Sequence, residues 1–160
     1  MQEILPREAV RSEKVRRGNI RRSCRRLQGA IDANYTDGCQ VITLTFGDDG
    51  RGRRRRKYAE ADVRSWFRAV RSELGAFRYI VSEEPDGFGG MAACRVIVGA
   101  EVEAERAGKM WGHGKVEVER VGLAEMEGVA ERIMGAWISA GHNIEPCRRA
   151  WSVARGMGRG

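Results

Sequence analysis

The order of strand-like and helix-like segments is the feature that most restricts what this chain can fold into. The segment QVITLTF (40–46) alternates apolar and polar side chains and is rich in β-branched residues, which is typical of a half-buried strand. Three further segments have strand character: FRYIVSE (77–83), CRVIV (94–98) and KVEVERV (115–121).

Helical patterns separate these strands. Apolar residues recur at helical spacing from Val63 to Leu74, just before Gly75, and the segment EVEAERAGK (101–109) favours a short helix. The resulting order is β-α-β-β-α-β. It predicts an α+β fold of the ferredoxin-like, split βαβ plan, with a four-stranded antiparallel sheet that has helices on one face and leaves the other open to a ligand.

The segments around this core predict further parts. Residues 1–18 are charged and lack an apolar period, so we expect a flexible arm there, and a basic helix is expected to begin at Asn19. A helix is also predicted over 123–137, followed by a C-terminal one. The predicted organisation is an arm at 1–18, a domain at 19–146, and a short helix with a frayed tail at 147–160.

Positive charge is the strongest compositional signal. The chain of 160 residues has 29 Lys and Arg against 22 Asp and Glu, a net charge of +7, and most of the cations are arginines. The guanidinium group binds phosphate oxygens in a bidentate manner, so a polyanion is the expected partner. Four candidate contacts lie on the first helix and six in the expected loop GDDGRGRRRRK (47–57): Arg21, Arg22, Arg25, Arg26, Arg51, Arg53, Arg54, Arg55, Arg56 and Lys57.

The cysteines and the apolar runs limit the other classes of function. Cys24, Cys39, Cys94 and Cys147 form no C-x-x-C pair, so the spacing favours neither a zinc site nor a thioredoxin-like motif. No apolar run reaches the ~20 residues of a membrane span, and the N-terminal residues lack the apolar region of a signal peptide. We therefore expect a cytoplasmic protein without a cofactor or a membrane partner.

Several segments together resemble a known superfamily. They are NIRRSCRRLQGAIDANY, VITLTFGDD, FRYIVSEE, RVIVGA, KMWGHGKVEVERV and GVAERIMGAW. In order and spacing, over residues 19–138, the chain resembles the rolling-circle replication initiators of phages and plasmids, the HUH endonuclease superfamily. The resemblance implies a third strand that carries His-x-His for a divalent metal, and a tyrosine on a later helix that attacks the DNA backbone.

The residues that carry this chemistry are missing from the matching positions. Ala93 and Arg95 stand where the resemblance places the histidines, and neither side chain can ligate a metal. The helix GVAERIMGAWISAG contains no tyrosine, since Tyr35, Tyr58 and Tyr79 lie elsewhere. We therefore predict no catalytic residue and no metal site, and expect Arg95 to contact phosphate instead.

The predicted function is that of an inactive, Rep-like nucleic-acid-binding protein of a phage or mobile element. Such a protein would act by occupancy on DNA or RNA, either competing at a replication origin or inhibiting a nucleic-acid-guided host defence such as CRISPR-Cas through its nuclease or guide RNA. Two alternatives remain. One is a divergent nickase that uses Tyr58 or Tyr79 with Glu84 and His113 as metal ligands. The other is an inhibitor whose basic loop binds an acidic protein surface.

Overall fold

The structure is a computed structural model that describes residues 7–139 and 150–154, with side chains described from residue 14 onward. Along the chain it contains α1 (Arg7–Asn34), β1 (Cys39–Thr45), β2 (Arg54–Arg55), α2 (Arg56–Leu74), β3 (Tyr79–Pro85), β4 (Gly90–Gly99), α3 (Ala104–Lys109), β5 (Val116–Val121), α4 (Val129–Ile133), α5 (Gly135–Ser139) and β6 (Trp151–Val153). A 3-10 turn at Leu123–Glu125 precedes α4.

One antiparallel sheet forms the centre of the protein. Its strands lie in the order β5-β1-β4-β3-β6, and β2 pairs with the first residues of β4, beyond the end of β1. The central strands β1 and β4 are in register from Cys39 opposite Gly99 to Thr45 opposite Ala93. The protein is therefore α+β with an open antiparallel sheet, which confirms the predicted class. The sheet has six strands where four were expected.

Helices cover both faces of this sheet. On one face, Ile97 of β4 packs with α1, α4 and α5 in a cluster that includes Trp137; we call this the α1 layer. On the other face, Val96 packs with α2 and α3 in a cluster that includes Trp66; we call this the α2 layer. Adjacent residues of a strand point to opposite faces, so both faces are buried at the centre of β4. The expectation of one open face is wrong.

The first helix is longer than its apolar pattern predicts. It begins at Arg7 rather than at Asn19, so residues 7–18 of the expected arm are helical, and residues 1–6 lie outside the described residues. Arginine, lysine and glutamate have good intrinsic helix propensity, which periodicity of apolar residues does not detect. The end of α2 agrees with the prediction, since Gly75 adopts a φ of 85° and its N–H donates to the carbonyl of Arg71.

Three other segments differ from their predicted structure. Residues 54–57 belong to β2 and the start of α2, although they were expected in a loop. The helix expected over 123–137 is divided into the 3-10 turn, α4 and α5, with Gly128 at a φ of 81° before α4. Residues 151–153, predicted in a C-terminal helix, form β6 along β3. The expected frayed end, residues 155–160, lies outside the described residues.

The cysteines that the structure describes are small core residues. Cys39 and Cys94 are buried and Cys24 is partly buried, while Cys147 lies outside the described residues. Burial raises the pKa of the Cys39 thiol to about 11 and also raises that of Cys94. Both thiols are therefore protonated at neutral pH and are poor nucleophiles.

Within residues 7–139 and 150–154, no helix combines the length and the apolar character of a membrane span.

Candidate nucleic-acid interface

A glycine-rich turn after β1 positions the basic residues that follow. Gly47 adopts a φ of 79° and its N–H donates to the carbonyl of His113, while the N–H of Gly52 donates to the Phe46 carbonyl at 2.7 Å. The carboxylate of Asp49 accepts a hydrogen bond from the N–H of Arg51. The turn returns the chain to the sheet, so that β2 pairs with β4 just beyond the end of β1.

Residues 51–57, which we call the arginine segment, carry six cations that differ in their surroundings. The Arg54 Nε lies 2.6 Å from the Asp62 carboxylate. The Arg56 Nε lies 2.9 Å from Glu60 and 3.3 Å from Glu83. These two guanidinium groups connect the segment to α2 and β3. They are partly neutralised by their carboxylate partners, which reduces their attraction for a phosphate.

The other four cations of the arginine segment are exposed: Arg51, Arg53, Arg55 and Lys57. The Arg53 guanidinium lies over the ring of Phe88, 4.5 Å from its centroid. Arg55 is the residue before the first turn of α2, which contains no acidic side chain and has no side-chain cap. The N–H groups and positive dipole end of that helix therefore add to the positive potential of the exposed cations.

The basic stripe predicted on α1 is also exposed. It comprises Arg21, Arg22, Arg25 and Arg26. The opposite side of the helix packs in the α1 layer, where Leu27 and Ile31 are fully buried. The arginine segment instead leads into α2, on the other face of the sheet. The two predicted basic groups therefore belong to different layers of the protein.

Ala93 and Arg95 lie on the sheet face that carries Ile97, in the α1 layer. The Ala93 side chain is buried, at 2% exposure, and Glu84 lies opposite it on β3. A guanidinium nitrogen of Arg95 lies 3.5 Å from the Glu84 carboxylate, and both side chains are half-buried. A phosphate that contacted Arg95 would therefore share the guanidinium with Glu84.

The three tyrosines lie in different environments: Tyr35 directly follows α1, Tyr58 lies in α2 and Tyr79 begins β3. The Tyr35 hydroxyl donates to the Ile97 carbonyl at 2.9 Å, and burial raises its pKa, so it is structural. Tyr79 packs against Phe67, with the ring centroids 4.3 Å apart. Tyr58 alone of the three is largely exposed, on the first turns of α2.

The motif WGHG (111–114) joins β1 to the turn beyond it. The Trp111 indole N–H donates to the Thr45 carbonyl at 2.8 Å, so Trp111 holds the turn against the end of β1. His113 lies beside the Trp111 ring, and its Nδ1 is 3.7 Å from the Asp62 carboxylate, in the α2 layer. Glu84 and His113, proposed as ligands for the nickase, thus lie against different partners on different faces.

Substitutions at the two glycines of this motif are expected to differ in their effect on stability. A β-carbon at Gly114 would collide with the Thr45 carbonyl oxygen, whereas one at Gly112 would meet no atom within 4 Å. We expect Gly114→Ala to lower the free energy of unfolding by about 1–3 kcal/mol, since the backbone must shift. Gly112→Ala is the matched control and should change it by less than about 0.5 kcal/mol. Urea denaturation measures both, and equal effects would contradict the close packing at Gly114.

Phe88 lies against the arginine segment but is not among the residues that the sequence predicts to bind nucleic acid. This residue occurs in the turn EPDGFGG, where an aromatic side chain between glycines belongs to no apolar period. An isolated aromatic residue in a turn rich in glycine was a signal that could have been used, because such a residue has no evident place in a core.

The chain was also compared with known proteins and searched for metal-binding groups. Comparison with models of protein families, with curated proteins and with solved structures finds no match in any of the three. Among the residues that the structure describes, no three His, Cys, Asp or Glu side chains form a group that could hold a metal ion.

Proposed function

We propose that this protein binds nucleic acid through the arginine segment and acts by occupying its target without cleaving it. The observation that carries the proposal is the exposure of Arg51, Arg53, Arg55 and Lys57 next to the uncapped start of α2. Clustered cations at a helix N-terminus attract phosphate groups, and the release of counterions adds to the affinity. Arg95 and the stripe on α1 are proposed as secondary contacts.

We also propose that the chain is a degenerate relative of the rolling-circle initiators with a ferredoxin-like core. In support, β4 lies between β1 and β3 and is antiparallel to both, so β1 and β3 are parallel with one strand inserted between them. That arrangement is the one that the split βαβ plan requires, and it supports the proposed core. Ala93 and Arg95 support the loss of cleavage, because a methyl group and a guanidinium offer no lone pair to a metal.

Binding without cleavage is sufficient for each of the proposed biological targets. A protein that covers a replication origin, or the guide RNA or nuclease of a host defence system such as CRISPR-Cas, needs no catalytic group. Recovery of the protein from cells without added nuclease, followed by identification of what accompanies it, distinguishes an origin from a defence complex. If the bound partner is retained after complete nuclease digestion, the inhibitor that binds an acidic protein surface becomes the better description.

A combined binding and nicking assay tests the proposal. Supercoiled plasmid is incubated with the protein and Mg²⁺ or Mn²⁺, and mobility on a gel reports both retardation and conversion to the open circle. We expect retardation that weakens steeply with salt and no open circle. Nicking, or a covalent adduct lost in Tyr58→Phe or Tyr79→Phe, would establish the nickase alternative instead.

A further inference from the structure

We infer that Phe88 is a base-stacking residue, which places an unpaired base of the nucleic acid at the tip of the β3–β4 hairpin. This inference rests on the proposed function and makes it more specific. It assigns a contact to a residue that carries no charge, at a site formed by the tip of the β3–β4 hairpin and the start of the arginine segment.

The hairpin tip holds Phe88 in a defined position. One carboxylate oxygen of Asp86 accepts hydrogen bonds from the N–H of Phe88 at 2.7 Å and from that of Gly90 at 2.9 Å. Gly87 and Gly89 adopt φ values of 84° and 80°, which other residues rarely take. The turn therefore fixes the backbone on both sides of Phe88, so the ring is presented by a rigid loop and loses little freedom on binding.

The ring of Phe88 is exposed to an unusual degree and is paired with a cation. Its exposure is 76%, the highest among the large apolar residues that the structure describes. The Arg53 guanidinium lies 4.5 Å from the ring centroid, so an aromatic face and a positive charge are adjacent. An isolated exposed apolar residue is ordinary. An aromatic ring that is held in a turn, with an arginine over one face, is suited to stack on a nucleic-acid base.

A second pair of this kind lies farther along the segment. The Arg54 guanidinium is 5.6 Å from the ring centroid of Tyr58, which is 49% exposed. Arg54 itself is paired with Asp62, but both rings lie beside a segment that carries four exposed cations. Such an arrangement matches the alternation of bases and phosphates in a single strand, where each unstacked base offers a face to a ring. In a duplex the bases are stacked on one another, and a ring on a hairpin tip reaches only the backbone and the groove edges. The arrangement therefore favours a single strand.

The test measures binding of three fluorescein-labelled probes by anisotropy: a 20-nucleotide dT strand, a 20-nucleotide U strand and a 20-base-pair duplex. Phe88→Ala and Phe88→Leu are expected to weaken binding of a single strand by about fivefold or more, because the π face is lost. Phe88→Trp should bind within about twofold of the wild type. The salt dependence should not change, since no cation is removed. Leu123→Ala, at a residue 66% exposed in the 3-10 turn, is the matched control and should have no effect.

Each result distinguishes this inference from the function on which it rests. If the wild type binds single strands and Phe88→Ala binds them equally well, Phe88 is not a stacking residue and the proposed function stands. An equal loss on the duplex, or a wild type that binds only the duplex, also overturns the inference alone. A wild type that binds none of the three probes overturns both. A loss confined to the dT or the U strand supports the inference and shows which of these two strands contacts Phe88.

Discussion

Replacing the exposed cations of the arginine segment with alanine is expected to weaken binding to nucleic acid by about three orders of magnitude at 0.1 M salt. Each lost phosphate contact lowers the slope of log K against log salt by about 0.9 on a duplex and about 0.7 on a single strand. If all four side chains contact phosphates, the slope falls by about 3. With the affinities of the two proteins taken as equal at 1 M salt, this difference in slope makes the variant about a thousandfold weaker at 0.1 M salt. The variant carries Ala at four positions: Arg51, Arg53, Arg55 and Lys57. Anisotropy titrations at several salt concentrations measure both quantities.

A variant with the same change of net charge is the control for this experiment. It carries Ala at four exposed cations outside the segment: Arg68, Arg78, Lys109 and Arg120. Screening confines the effect of exposed charges to about 8–10 Å at such ionic strengths, so we expect binding within a few-fold of the wild type. If this variant loses as much slope as the first, net charge rather than the arginine segment would determine binding, and the proposed interface would be wrong.

Arg54 and Arg56 are kept in both variants because their surroundings give them another role. Their ion pairs with Asp62, Glu60 and Glu83 connect the segment to α2 and β3. Ion pairs that are partly exposed contribute only about 0–1 kcal/mol each to stability. Together with the pairing of β2 to β4, they connect the arginine segment to the fold. A segment held in this way loses less backbone entropy on binding than a loop without regular structure.

The sequence predicts the four longest strands of the sheet but not its edges. β1 and β5 alternate over enough residues for the period of 2 to be visible, and β4 is marked by its apolar run. β2 consists of Arg54 and Arg55, and its strand conformation depends on pairing with Met91 and Gly90, which no local pattern reveals. β6 has only three residues. Short strands that depend on a distant partner are not encoded in their own composition.

The sequence did contain a signal that both faces of the sheet are covered. Val96, Ile97 and Val98 are consecutive and all are fully buried, whereas a strand with one exposed face would alternate. For the candidate site, charge density predicted only that the run of arginines lies at the surface, since such a run cannot be buried. It did not predict that Arg54 and Arg56 contact Asp62 and Glu60, because residues 54–57 were expected in a loop and not in β2 and α2. The contacts of Arg56 with Glu83 and of Arg53 with Phe88 join residues that are far apart in sequence, so no local pattern reveals them.

Truncation of Trp66 is expected to have the largest effect on stability. The side chain is 3% exposed in the α2 layer, and its indole N–H donates to the Ala107 carbonyl at 2.8 Å, which connects α2 to α3. Trp66→Ala leaves a large cavity and removes the indole hydrogen bond to the Ala107 carbonyl, which keeps only the bond from the Met110 N–H, so the free energy of unfolding should fall by about 3–5 kcal/mol. That is a large part of the 5–15 kcal/mol typical of a domain and corresponds to a melting temperature lower by roughly 6–20 °C.

Two controls separate packing from hydrogen bonding and stability from function. Trp66→Phe keeps much of the ring volume but loses the indole N–H, so it should cost about 1–3 kcal/mol, less than Trp66→Ala. Thermal denaturation followed by circular dichroism ranks the variants, and a shift below about 2 °C for Trp66→Ala would show that Trp66 is not a core residue. Nucleic-acid binding separates stability from function. Below its melting temperature, Trp66→Ala should show the same salt dependence of nucleic-acid binding as the wild type, because no phosphate contact is removed. The arginine-segment variant should show the reverse, with normal melting and lost binding, since its replaced side chains are exposed.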